Sequence, residues 1–94
     1  MPPLEIDFTP QFRRRARQFS EDQRQQLAVA ADELREAFGH PHRHSGLGIR
    51  RLGGNLYELR VGRDLRVVFE LNDSRAELMM IGSHDDVRRF LINH

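Results

Sequence analysis

Leu56-Tyr57-Glu58-Leu59-Arg60-Val61, Gly62-Arg63-Asp64 and Leu65-Arg66-Val67-Val68-Phe69-Glu70-Leu71 form one continuous stretch whose reading decides the fold. Both long segments alternate with the period of two that marks a half-buried strand. Tyr57, Leu59 and Val61 share one face, and Leu56, Glu58 and Arg60 the other. Across the tight Gly62-Arg63-Asp64 connection, Leu65, Val67, Phe69 and Leu71 share a face opposite Arg66, Val68 and Glu70. Two such segments joined by a short glycine-containing link predict an antiparallel hairpin with one apolar and one charged face.

The neighbouring segments extend this hairpin into a sheet. Ile49 to Leu52 is a short strand candidate, separated from the hairpin by the Gly53-Gly54-Asn55 turn. Asn72-Asp73-Ser74 turns the chain again, and Ala76 to Ile81 is the last strand. At the other end, Leu4-Glu5-Ile6-Asp7-Phe8 alternates as a further strand. Thr9-Pro10 then opens a helix, with Thr9 as N-cap and proline where its missing N–H costs nothing. Phe12, Ala16 and Phe19 lie on one face of it. Ser20-Glu21-Asp22-Gln23 has the capping-box pattern of a second helix, whose stripe is Leu27, Ala30, Ala31, Leu34 and Phe38 and which Gly39 and Pro41 stop. Ser83-His84-Asp85-Asp86 starts a short terminal helix with Val87, Phe90 and Leu91 on its inner face. The predicted class is α+β in the order β-α-α-β-β-β-β-α. It pictures a twisted antiparallel sheet with a helical hairpin on one face and a short C-terminal helix at its edge.

Composition narrows the function classes. Ninety-four residues with 38% apolar content make a single domain, 1–94, with a small core. Cysteine is absent, which excludes a disulfide framework, a thiolate zinc site and a cysteine nucleophile. The apolar runs fall far short of a membrane span and no hydrophobic leader is evident, so a cytoplasmic protein is expected. All fifteen basic residues are arginine, and the net charge is only +1. That charge is unevenly placed: residues 39–72 hold six Arg against three acids, net +3, while the flanking segments are each net −1. A local phosphate site needs such a concentration.

The hairpin of helices covers one sheet face, so the other is expected to decide function. It presents Glu58, Arg60 and Arg66, with Glu70 further along. One reading is a solvated face with cross-strand ion pairs. The other is a site in which two guanidiniums converge with His84, delivered by the end of the last strand, to hold and cleave a phosphodiester. His84 stands at the positive end of a helix whose free N–H groups favour an anion. His40, His42 and His44 sit in a proline- and glycine-punctuated loop without carboxylates, which reads as surface rather than as a metal site. Arg13-Arg14-Arg15 spreads around a helix and reads as a solvated face.

The element order, the segment Gly54 to Val61 followed by Asp64-Leu65-Arg66-Val67-Val68-Phe69, and the ending Ile81-Gly82-Ser83-His84-Asp85-Asp86-Val87 are similar to the RelE/ParE superfamily of type II toxins. The resemblance covers nearly the whole chain. It implies a small toxin neutralised by a cognate antitoxin protein, touching DNA only through that antitoxin. It further implies that RelE-type members cut mRNA in the ribosomal A site without metal or other cofactor. ParE-type members share the fold but poison gyrase.

Carried over position by position, Arg66 matches a phosphate-binding arginine and Arg60 one of a pair of strand lysines. The other lysine corresponds to Glu58, a reversal of charge. His84 stands where RelE has an arginine, and Phe90 where it has a catalytic tyrosine. Those departures lean toward the YafQ-like branch, whose aspartate matches Asp64. The resemblance thus implies His84, Arg66, Arg60 and Asp64 as catalytic residues. Phe90, offering a ring for a base, and Arg63 are the expected substrate contacts.

Overall fold

Thr9 ends the first strand and begins the first helix. Its Oγ1 accepts the Phe12 N–H at 3.1 Å, and Pro10 occupies the first helical position. In the computed structural model, which describes residues 4–37 and 48–93, the chain runs β1 (Glu5–Phe8), α1 (Pro10–Ala16), α2 (Glu21–Ala37), β2 (Ile49–Gly53), β3 (Leu56–Val61), β4 (Leu65–Asn72), β5 (Arg75–Gly82) and α3 (His84–Asn93). The capping box before α2 forms as expected: Gln23 N–H donates to Ser20 Oγ at 3.2 Å and Ser20 N–H to Gln23 Oε1 at 2.9 Å. Phe38, Gly39 and Pro41, read as the end of that helix, lie outside the described residues, as do the three loop histidines.

The five strands form one sheet in the order β1-β5-β4-β3-β2. The four later strands are antiparallel neighbours, as the alternation predicts. β1 adds at the far edge, parallel to β5, with Phe8 opposite Leu78, so the sheet is mixed. A strand that leads straight into helices has no turn to fix its direction, and only the tertiary pairing sets it.

The apolar face lies under both helices of the hairpin. Phe12 of α1 and Leu27, Ala30 and Leu34 of α2 pack with Leu59, Val61, Val67, Phe69, Leu78 and Ile81 of the sheet. Arg66, Val68 and Met80 stand on the other face. There α3 lies over β4 and β5 rather than at the sheet edge, burying Val87 against Val68 and Met80, with Leu52, Leu56, Phe90 and Leu91 around them. The expected open charged face is therefore partly roofed by a second, smaller core.

One irregularity arranges this. Val68 pairs with Met80 but Phe69 pairs with Leu78, leaving Met79 without a partner in β4. Such a bulge reverses the in–out alternation of the residues beyond it. Ala76 and Leu78 face the main core before it and Ile81 after it, while Met80 and Gly82 turn toward α3.

Candidate functional site

Arg60 pairs with Arg66 across β3 and β4, and Arg66 pairs with Gly82 across β4 and β5. These three residues make one row across the sheet on the face that α3 covers. His84 lies two residues beyond Gly82 as the first residue of α3, exposed. The Gly62-Arg63-Asp64 connection, with Gly62 at φ +62°, turns one pair beyond the Arg60–Arg66 row. Topology thus gathers Arg60, Arg63, Asp64, Arg66 and His84 at the same end of the sheet. Phe90 stands apart: six residues along α3 from His84, roughly 9 Å by helical rise, it is half-buried and packed into the second core.

The charges within the row are not equivalent. Glu58 is buried, 4% exposed, and its Oε1 accepts from Arg66 Nη1 while Oε2 faces Arg50 Nη2 at 3.4 Å. The face is therefore neither a freely solvated one nor a pair of open guanidiniums. Glu58 organises Arg66, which remains 24% exposed along its side chain, and Arg50, which remains 66% exposed. Arg60 is exposed and has no ion pair among the described residues. It also lines an open groove of about 470 Å³ with Asp22, Gln26 and Val29 of α2 and Gly62. Asp64 and His84 share no hydrogen bond among the described residues.

The start of α3 is the most fully bonded part of the site. Ser83 Oγ accepts the Asp86 N–H at 3.1 Å, and Asp86 Oδ2 accepts the Ser83 N–H at 2.9 Å, a reciprocal capping box at the helix start read from sequence. Arg89 Nη2 donates to Asp86 Oδ1 at 2.6 Å, and Arg15 Nη2 lies 3.3 Å from Oδ2. The Ser83 backbone N–H, then Arg89, the Ser83 hydroxyl and Arg15, hold the Asp86 carboxyl at about 2, well below its ordinary 3.8. His84 thus sits on a helix turn pinned from both sides.

Sequence reasoning missed two residues of this constellation. Arg50 is legible in principle, because counting back across the Gly53-Gly54-Asn55 turn brings it opposite Glu58. Arg15 is not, because its partners lie 66 and 71 positions away. Taken together, the row offers one open guanidinium, one guanidinium shared with a buried carboxylate, an imidazole and the N-terminus of a helix. That set can bind an oxyanion and move a proton beside it.

No protein-family model matches the chain, and no curated protein sequence matches it. Solved structures do. A chain of the archaeal RelE-RelB complex from Pyrococcus horikoshii superposes with a TM-score of 0.70 at 16% identity, covering 87% of this chain and 96% of that one. The YoeB dimer from Staphylococcus aureus gives 0.63 at 21% identity, covering 88% and 99%. The E. coli DinJ-YafQ toxin-antitoxin complex gives 0.64 at 15% identity, covering 89% and 96%. These overlaps each take in nearly nine-tenths of the chain, which has the fold of the RelE, YoeB and YafQ toxins.

Proposed function

We propose that this chain is the toxin of a type II toxin–antitoxin pair and acts as a RelE-like endoribonuclease on mRNA at the ribosome. The observation that carries the reading is the Arg60–Arg66–Gly82 row ending at the helix that His84 begins. The toxin fold supports it.

In this mechanism the 2′-oxygen attacks the adjacent phosphorus and the bond to the 5′-oxygen breaks. A 2′,3′-cyclic phosphate and a 5′-hydroxyl result. Arg60 and the outer edge of Arg66 hold the phosphate and stabilise its developing charge, an effect of about 3 kcal/mol for a well-placed donor. The 2′-hydroxyl gives up its proton and the departing 5′-oxygen gains one: His84 serves one of these transfers as general acid or base, and Asp64 or solvent serves the other. Asp64 and Arg63, on the connection beside the row, orient His84 and contact the backbone of the RNA. Phe90, at the inner side of α3, supplies its ring edge to a base. No step requires a metal or cofactor. A cognate antitoxin would cover this face with acidic residues.

Induced expression tests the reading. Wild type is expected to arrest translation and leave mRNA ends that map by primer extension. His84→Ala is expected to relieve toxicity. Arg66→Ala is best made together with Glu58→Gln, so that no carboxylate stays buried without its cation. Full toxicity in both variants overturns the mechanism.

The capture of Arg66 by Glu58 favours a second reading, a toxin-fold protein that binds antitoxin and cuts nothing. Its signature is growth without arrest and intact mRNA. DNA damage with intact mRNA would instead point to a gyrase poison of the ParE kind.

A further inference from the structure

β1 ends where Phe8 pairs with Leu78, so the last residues of β5 have no strand on that side. An open edge there would leave carbonyls unpaired beside the site. Instead α1 closes it with hydrogen bonds. Thr9 N–H donates to Leu78 O at 3.0 Å, Thr9 Oγ1 to Met79 O at 3.4 Å, and Arg15 Nε to Ile81 O at 2.7 Å. The same Arg15 guanidinium reaches forward to Asp86 Oδ2, the carboxylate that closes the cap of α3. One planar fork therefore ties three elements together: α1, the end of β5 and the first turn of α3. A lysine has no such fixed spacing of donors.

Gly82 shows how closely this joint is packed. A Cβ there would lie 2.7 Å from Asp86 Cβ and from its Oδ2, and 3.0 Å from Arg15 Nη2. The absent side chain is what lets the arginine and aspartate meet directly over the strand end, beside Arg66 in the same row. His84 is separated from Asp86 by one residue and shares its helical turn.

We propose that Arg15 is a positioning residue for His84. Through Ile81 O and Asp86 it fixes the first turn of α3 against the end of β5, and with it the placement of the imidazole relative to the Arg60–Arg66 row. This rests on the nuclease reading for its consequence, though not for its geometry. Arg15 is not itself a substrate ligand in this scheme. Its side chain is 38% exposed, so an ordinary surface ion pair would contribute little to global stability. The expected effect of losing it is local: a loosened helix start on an otherwise folded domain.

The experiment compares wild type with Arg15→Met, Arg15→Lys and the neighbouring control Arg14→Met. Amide exchange of residues 85–87 and the His84 imidazole proton resonances report the helix start. Single-turnover cleavage of an mRNA fragment on ribosomes reports the chemistry. In Arg15→Met the first-turn amides should exchange roughly tenfold faster, and the His84 resonances should shift and broaden. The maximal rate should fall ~10- to ~100-fold with the apparent KM unchanged. Arg15→Lys should recover part of each effect, and Arg14→Met should show none.

Wild-type exchange and His84 resonances in both Arg15 variants overturn the proposal, as does a loosened helix with an undiminished rate. A structural role alone would lower rate and thermal stability together, without partial rescue by lysine, and that result also overturns it. If wild type cuts no RNA, the nuclease reading falls on its own account. The exchange rates and His84 resonances then decide whether Arg15 positions that residue.

Discussion

Arg66 of β4 donates its guanidinium to the carboxylate of Glu58, which stands diagonally across the hairpin and is itself almost wholly buried. The positive charge at the centre of the row is thereby shared before any ligand arrives. Breaking such a pair from one side leaves an uncompensated group. Arg66→Ala should therefore destabilise the domain by about 3 kcal/mol, the lower end of the range for buried pairs, and Glu58→Gln by less. Urea unfolding midpoints check both. If the row binds phosphate, Glu58→Gln should also bind a non-cleavable RNA fragment more tightly than wild type. Unchanged affinity would mean that Arg66 does not meet the phosphate.

Asp86 gives the domain an acid-sensitive joint. A carboxyl held near 2 in the folded chain and near 3.8 when free contributes stability that is fully present above the free value and is lost as pH falls through the lower one. The window is therefore about pH 4 down to about pH 2. The contribution is at most about 2–3 kcal/mol, and smaller in practice because 27% of the side chain meets solvent. Asp86→Asn should lower stability at neutral pH and flatten its fall in that window. Denaturant titrations at a series of pH values measure this directly.

Gly82→Ala tests the joint from the strand side. The added methyl would sit within 2.7 Å of Asp86 Cβ, which cannot swing aside without moving α3. The expected cost is about 1–3 kcal/mol, as for overpacking elsewhere. Thermal melts give the magnitude, and under the proposed nuclease reading cleavage should drop further than the melt alone would explain.

Arg60 is the accessible cation of the row, so a partner with acidic side chains should feel it first. Arg60→Glu is expected to slow association with a neutralising antitoxin and to weaken its dependence on salt. Surface plasmon resonance at two ionic strengths separates the rates. Equal association rates for wild type and Arg60→Glu would place the acidic contacts elsewhere.

How far these features are legible in the sequence depends on their range. Caps and turns are local, so Thr9, Ser20 and Ser83 announce three helix starts and the structure has all three. Alternation assigns Tyr57, Leu59 and Val61 to the core face because β3 is regular throughout its pairing with β4. The parallel seating of β1 is set by contacts 70 residues away, for which the chain carries no local signal. Burial of Glu58 needed Arg50 and Arg66 to be placed first, since a carboxylate enters a protein interior only with its partners. The position of α3 over the sheet, instead of beside it, followed from Met80 turning outward, which simple alternation in β5 would have denied.

Met79 makes that last point more general. Substitution changes what a residue is, whereas the register taken at a bulge decides which way every later residue looks. Were Met79 instead paired in regular alternation opposite Val68, the parity of β5 would carry Ile81 toward α3 and fold Met80 and Gly82 inward, although every residue type remained the same. Helix α3 would then lose its apolar seat at Met80, and the row that begins at Arg60 would end on an isoleucine. Removing Met79 would instead take the bulge away with it and leave Leu78, Met80, Ile81 and Gly82 facing as they do now. When strands of this kind are compared between distant relatives, a one-residue gap at the bulge leaves the facing residues unchanged, whereas a gap within the regular part of the strand reverses them.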